Sequence, residues 1–197
     1  MPVSSLPSRT GVGEMGAEAY HFLTLLKESG IKIWQILPMN PVGYGNSPYQ
    51  PYSSCAGDEL YISLDTLYEE GLLKERPEGF HEYATKVDYD AVRLHKEPYL
   101  REAFQTFLTS GGCETKDYQE FADQSWVYEY GAFRALKKAN GGCCWNEWKQ
   151  EDKMWPDART DLAPELETEV QYHMFLQYVF FSQWMKLKEK ANAYDIQ

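Results

Sequence analysis

The sequence predicts an α/β chain in which a mainly helical stretch follows the sheet-forming part, and three observations carry that reading. Residues 31–37 (IKIWQIL) are short, β-rich and almost unbroken in apolar character, the pattern of a strand buried on both faces of a parallel sheet. A helical pattern precedes this segment, and a Pro-, Gly-, Ser- and Tyr-rich loop follows it over residues 39–57. Beyond Leu60 the periodicity is helical.

Taken in order, residues 14–29 place Ala19, Phe22, Leu23 and Leu26 at the i, i+3, i+4, i+7 spacing of one helix face, with Gly30 positioned as the C-terminal cap. Pro38 ends the strand. The loop MNPVGYGNSPYQPYSSCAG sustains neither a ladder nor a helix, and its prolines make it stiff. A loop of that length usually has a function, and it lies at the carboxyl end of a buried strand, where barrels and open α/β sheets place their ligand sites. Asp65 is the expected N-cap of a short helix ending near Gly71. Leu100, Ala103, Phe104 and Phe107 form a helix face closed by Gly111 and Gly112, and Trp126, Tyr130, Phe133 and Lys137 form another before Asn140 and Gly141. Pro164 opens a last helix, expected to reach Asn192, with Val170, Met174, Gln177, Phe181, Trp184 and Lys188 along one side. Residues 193–197 (AYDIQ) have the look of a chain about to enter a second strand.

Composition narrows the function classes. The formal charge of −11 disfavours phosphate backbones and anionic lipid surfaces, and no Lys/Arg block offsets it locally, so nucleic-acid and membrane roles are not expected. No stretch approaches the roughly 20 apolar residues of a membrane span, nor does the start read as a secretory signal; a cytoplasmic location is expected. Cys55, Cys113, Cys143 and Cys144 lack metal-site spacing and read as free thiols. Dinucleotide, phosphate-loop, zinc-protease and calcium-loop signatures are missing too, so no cofactor or metal is expected. The 15 Tyr and six Trp suit sugar rings as well as core packing.

A parallel sheet cannot stand on one strand, and a complete (β/α)8 barrel needs about 250 residues, so the chain reads as incomplete. The alternative from periodicity alone is a self-sufficient all-helical domain with residues 31–37 as a buried helix segment.

The segment WQILPMNPVGYGNSPYQPYSSCAGDELYISLD, residues 34–65, closely resembles the first strand and following loop of amylomaltases, the 4-α-glucanotransferases related to plant disproportionating enzymes. WQxLPxxP, GYGxSPYQ and YSSxAG occur in that family's order and spacing. LPSRTGVGEMG, LDTLYEEGLL, KVDYDAVRLHKEPYLREAF and the run over residues 170–192 agree as well, so the resemblance covers nearly all 197 residues. Cys55 stands where Phe is expected and Asp58 where Asn is usual, which touches local packing and one polar contact.

The resemblance implies the amino-terminal part of a (β/α)8 TIM barrel with a mainly helical insertion between the first and second barrel strands. Residues 1–60 would begin the barrel, 61–163 form the insertion, and 164–197 return to the barrel just before its second strand. It implies a retaining transfer of α-1,4-glucan segments between maltodextrins, in which an Asp displaces the leaving glucan, a Glu protonates it, and another glucan's 4-hydroxyl resolves the covalent intermediate. Retention needs the two carboxyls about 5–5.5 Å apart. In this family those carboxylates come later in the chain, so no catalytic residue is assigned, and Glu69 and Glu70 read as solvated charges. By the same resemblance Ser47 and Tyr49 match positions lining donor-sugar subsites, and Tyr44 matches an aromatic of a second glucan-binding patch. A rigid loop with its tyrosines packed inward is the competing structural reading. Trp126, Trp145, Trp148 and Trp155 could extend a glucan groove, but their spacing fits packing equally well, and they are left out of the site. Net glucan hydrolysis and a noncatalytic glucan-binding module remain the alternative functions, and oligomeric state is not readable. An unpaired strand edge predicts self-association of the chain alone.

Overall fold

The structure, a computed structural model, describes residues 1–80, 85–158 and 161–197. Seven α-helices are described: α1 (Ala17–Glu28), α2 (Leu64–Glu69), α3 (Tyr89–Thr109), α4 (Lys116–Ala122), α5 (Ser125–Ala139), α6 (Gln150–Ala158) and α7 (Pro164–Ala193). Single 3-10 turns lie at Val3–Ser5, Tyr44–Asn46, Glu59–Tyr61, Gly112–Glu114 and Trp145–Glu147. The chain divides into two compact units, Met1–Cys113 with Val179–Gln197, and Glu114–Tyr178. Residues 61–113 thus pack within the first unit, and α7 contributes its two halves to different units.

In the first unit, α1 buries Ala19, Leu23 and Leu26 as its periodicity requires, while Phe22 meets the Trp34 ring edge-on at 5.0 Å. The helix closes with a Schellman pair, Ile31 N–H to Leu26 O at 2.9 Å and Gly30 N–H to Lys27 O at 3.0 Å. That pattern needs a left-handed residue at Gly30 (φ 70°), where a side chain would be strained.

Residues 31–37 do not form a strand buried on both faces. Among the described residues no β-strand is assigned, and Ile31, Ile33 and Leu37 are 44%, 69% and 38% exposed. The physical reason is the lack of strands on either side among those residues. The segment is not helical either, which removes the all-helical alternative for it. Beyond the Ile31 bond that closes α1, the segment pairs with the last residue: Gln197 N–H donates to Lys32 O and Trp34 N–H donates to Gln197 O, both at 2.8 Å. These slanted bonds, which bracket Ile33 from a single residue, are the repeat of a parallel ladder.

Asp65 is not the cap of α2. Ser63 is, its hydroxyl accepting from Thr66 N–H at 3.3 Å, and Asp65 sits in the first turn, where it pairs with Arg76 at 2.8 Å. Charge near the positive end of a helix is favourable without capping it. Helix α3 buries Leu100, Ala103, Phe104 and Phe107, and starts at an Asp88 cap that accepts from Ala91 N–H at 3.1 Å.

Two polar ties hold this unit. Lys96 of α3, 1% exposed, spends its three N–H bonds on Glu14 Oε2 (2.8 Å), Leu60 O (2.8 Å) and Ile62 O (2.7 Å). Thr10 Oγ1 also donates to that Glu14 oxygen at 2.8 Å. Buried Gln183 of α7 brackets the backbone of Ser63, accepting from its N–H at 2.7 Å and donating to its carbonyl at 3.2 Å.

The second unit packs α4, α5, α6 and the first half of α7 around Val127, Ala132, Ala135, Leu136, Trp148, Trp155, Val170 and Met174. Residues 172–177 of α7 are all buried, so this stretch is apolar or buried all round rather than along one stripe. Pro164 stands at the first turn of α7, where its missing N–H costs nothing.

Candidate functional site: the loop after residue 38

The stem of the loop is built from backbone. An isolated antiparallel bridge joins Val42 and Pro51, with Tyr52 N–H on Pro41 O at 2.9 Å and Gly43 N–H on Gln50 O at 3.3 Å. Between these bonds the chain turns through Tyr44–Asn46, where Asn46 takes φ 52°, a conformation its residue type tolerates. Lower down, Asn40 Nδ2 donates to Ala56 O at 2.8 Å, and Asp58 N–H donates to Met39 O at 2.8 Å. Gly57 lies flat on the Phe180 ring, and a Cβ there would collide with it.

Asp58 is the anchor. Its carboxylate is 1% exposed and accepts from Leu60 N–H (3.0 Å), Val42 N–H (3.3 Å) and both terminal nitrogens of Arg93 (3.2 Å each). Arg93 also reaches Glu59 at 3.5 Å. Burial, and after it the charge of Glu59, pushes the Asp58 carboxyl above the usual carboxylate range, while Arg93 and the Leu60 N–H pull the other way. Burial and the neighbouring Asp58 charge also push the Tyr61 phenol up to about 12. One fixed carboxylate thereby joins the loop stem, the turn at residue 59 and helix α3.

At the tip, Ser47 is half-buried and its hydroxyl accepts from Tyr49 N–H at 3.4 Å. Tyr49 is 72% exposed and Tyr52 is 43% exposed, so neither ring packs inward. The Tyr44 side chain lies outside the described residues. Ser47 and Tyr49 thus lie two residues apart at the loop tip, one half-buried and the other exposed to solvent. Beneath it, a cavity of about 400 Å³ runs along Leu37, Met39, Cys55, Ala56, Phe180 and Trp184.

Sequence reasoning picked out Asp58 only as an unusual residue and missed Arg93, Lys96 and Glu14 altogether. Arg93 lies 35 residues from Asp58 and Lys96 lies 82 from Glu14, separations at which no periodicity or motif links two charges. Among the described residues no group of His, Cys, Asp and Glu could hold a metal ion, and the four cysteines are free. No described helix is long and apolar enough to cross a membrane.

Comparison with known proteins places this arrangement. The chain is 40% identical over 201 residues to a 4-alpha-glucanotransferase of Thermus thermophilus, and 40% identical over 205 residues to one of Synechocystis; each alignment covers 98% of this chain and 39% of the relative. The chain thus spans about two fifths of the length of these curated relatives. Among solved structures, an amylomaltase from Streptococcus agalactiae in complex with acarbose matches all of this chain with a TM-score of 0.88 at 32% identity, over 41% of its own length. The profile of a family described as 4-alpha-glucanotransferase matches residues 1–197, and the chain belongs to that family.

Proposed function

We propose that the protein of which these residues form part is a 4-α-glucanotransferase that moves α-1,4-glucan segments between maltodextrins by a retaining double displacement. The observation that carries this is the family match along the whole chain, together with a loop whose stem is locked by Asp58 and Arg93 and whose tip offers an exposed Tyr49. In this reading Ser47 and Tyr49 line donor subsites, with Tyr44 beside a second glucan patch. Tyr49 supplies a face for a pyranose ring, and the Ser47 hydroxyl exchanges hydrogen bonds with the sugar. The nucleophilic Asp and acid/base Glu lie outside these residues, so the 197-residue chain alone is inactive; a double displacement on two carboxylates calls for neither metal nor cofactor. We assign the protein to the cytoplasm.

The same reading makes residues 1–60 the start of a (β/α)8 barrel, 61–163 a mainly helical insertion and 164–197 the return. Support comes from the parallel-type bonding of Gln197 to Lys32 and Trp34, the pairing expected where a second strand would start beside a first. Right-handed βα connections in barrels put ligand loops at the carboxyl ends of strands, where residues 39–58 lie.

Incubation of the full-length protein with maltotriose tests the activity. Transfer gives glucose together with maltodextrins longer than maltotriose; glucose and maltose alone would show a hydrolase instead.

A further inference from the structure

The second unit has a pocket that core packing does not explain. A cavity of about 240 Å³ opens between α5, the Trp145–Glu147 turn and α6, lined by Phe133, Trp145, Trp148 and Trp155 with the carboxylates of Glu129 and Asp152. Trp148 and Trp155 are 5% and 7% exposed and belong to the core, and Trp148 spends its indole N–H on Cys143 O at 3.2 Å. Trp145 is different. It is 56% exposed at the pocket and lies outside the buried cluster that takes in Trp148 and Trp155.

We infer that this pocket is a further α-glucan subsite, separate from the loop and from the patch at Tyr44, in which one glucose ring of a maltodextrin stacks on Trp145 and hydrogen-bonds through its hydroxyls to Asp152. The inference rests on the glucan reading above.

The pocket is built rather than incidental. Asn140, at the end of α5, donates to Asp152 Oδ2 at 2.7 Å and to Leu136 O at 2.9 Å, and accepts from Lys149 N–H at 3.1 Å. Asp152 is therefore held in place before any ligand arrives, which lowers the entropy lost on binding. Lys137 ties down the intervening turn through Gly142 O (2.8 Å) and Cys143 O (3.0 Å).

Size and charge select the ligand class. The volume falls below the roughly 300–1,000 Å³ that encloses a whole drug-sized ligand, so it suits one ring with its neighbours in solvent. Two carboxylates, with no Lys or Arg in the lining among the described residues, disfavour an anion. A quaternary ammonium would want several open aromatic faces, whereas two of the three indoles here are buried. A neutral polyol with one apolar face fits both the single open indole and the fixed acceptor.

The test is a titration of the protein with maltopentaose, and separately with choline, following tryptophan indole N–H resonances by NMR. The Trp145 signal is identified by its loss in Trp145→Phe. Maltopentaose is expected to shift that signal saturably, also in Tyr49→Ala, where the loop's contribution is removed. In the Tyr49→Ala background, Trp145→Ala is expected to weaken the remaining maltopentaose binding about three- to tenfold, with an unchanged thermal melt as evidence of an intact core. A Trp145 signal that stays fixed while Tyr49-dependent binding is seen, or that moves only when Tyr49 is present, overturns the subsite and leaves the glucan reading intact. Absence of maltopentaose binding anywhere overturns both. A shift with choline and none with maltopentaose overturns the glucan assignment of the pocket in favour of a cation.

Discussion

Lys96 and Arg93 show how single side chains fix the first unit. Lys96 is almost fully buried and binds Glu14 and two carbonyls, so Lys96→Met takes the charged partner from a carboxylate that keeps the Thr10 hydroxyl and removes the Lys96 donor from two backbone oxygens. Removing one partner of a buried ion pair costs about 3–5 kcal/mol, and denaturant unfolding of the variant is expected to show a loss of that order. Arg93→Leu strips Asp58 of its paired charge at a site whose burial already raises the carboxyl's pKa. A raised folded-state value means that the protonated form is favoured in the fold, so stability is present at low pH and lost as pH rises through that value. The deficit of Arg93→Leu at neutral pH is accordingly expected to shrink as the solution is acidified, measured as the difference in unfolding free energy from the parent at each pH. Tyr49→Ala should behave oppositely to both. Its ring is exposed, so stability should move by no more than about 0.5 kcal/mol, while kcat/KM for maltodextrins in the full-length protein falls up to about tenfold.

At the scale of elements, the sequence was most legible where one face of a helix is buried. The i, i+3, i+4 pattern found α1 and the Leu100–Phe107 face of α3, because each packs on a single side. It also found α7, expected from Pro164 to Asn192 and observed to Ala193, although residues 172–177 are buried all round and not only along the side that was read. Residues 31–37 carried the apolar signal of a doubly covered strand, yet that signal reports a propensity to be covered, and coverage depends on strands this chain does not contribute among its described residues. The cap of α2 was misread by two positions, since Ser63 and Asp65 are both good acceptors and only backbone geometry separates a cap from a first-turn charge. Gln183, which brackets Ser63 from 120 residues away, was invisible for the same reason as Arg93. Gln183→Ala takes the acceptor from the buried Ser63 N–H, while the Ser63 carbonyl keeps the Leu67 N–H at 3.3 Å, and the change is expected to cost about 1–3 kcal/mol, read by thermal or denaturant melts.

For the molecule as a whole, family and loop were legible because WQxLPxxP, GYGxSPYQ and YSSxAG are local in sequence and the loop they specify is held mostly by its own backbone. Ser47 and Tyr49 could be named because they are local to that loop, whereas Asp58 and Arg93, which lock its base, needed three-dimensional placement. Ile31 and Ile33 are exposed, and in the same segment Trp34 and Ile36 line an apolar cavity of about 450 Å³ with Trp184, Leu187 and Ile196. An apolar surface next to backbone with unfilled pairing capacity predicts self-association of the 197-residue chain, visible as a mass above 22.9 kDa that grows with concentration in sedimentation. The central claim, that these residues supply glucan-binding structure to a transferase whose carboxylates lie elsewhere, is tested most directly by maltotriose disproportionation. The 197-residue chain is assayed beside a protein extended to the length of its relatives, with products separated by chromatography. Glucose and longer maltodextrins from the extended protein alone are the predicted result; the same products from the short chain would contradict the account.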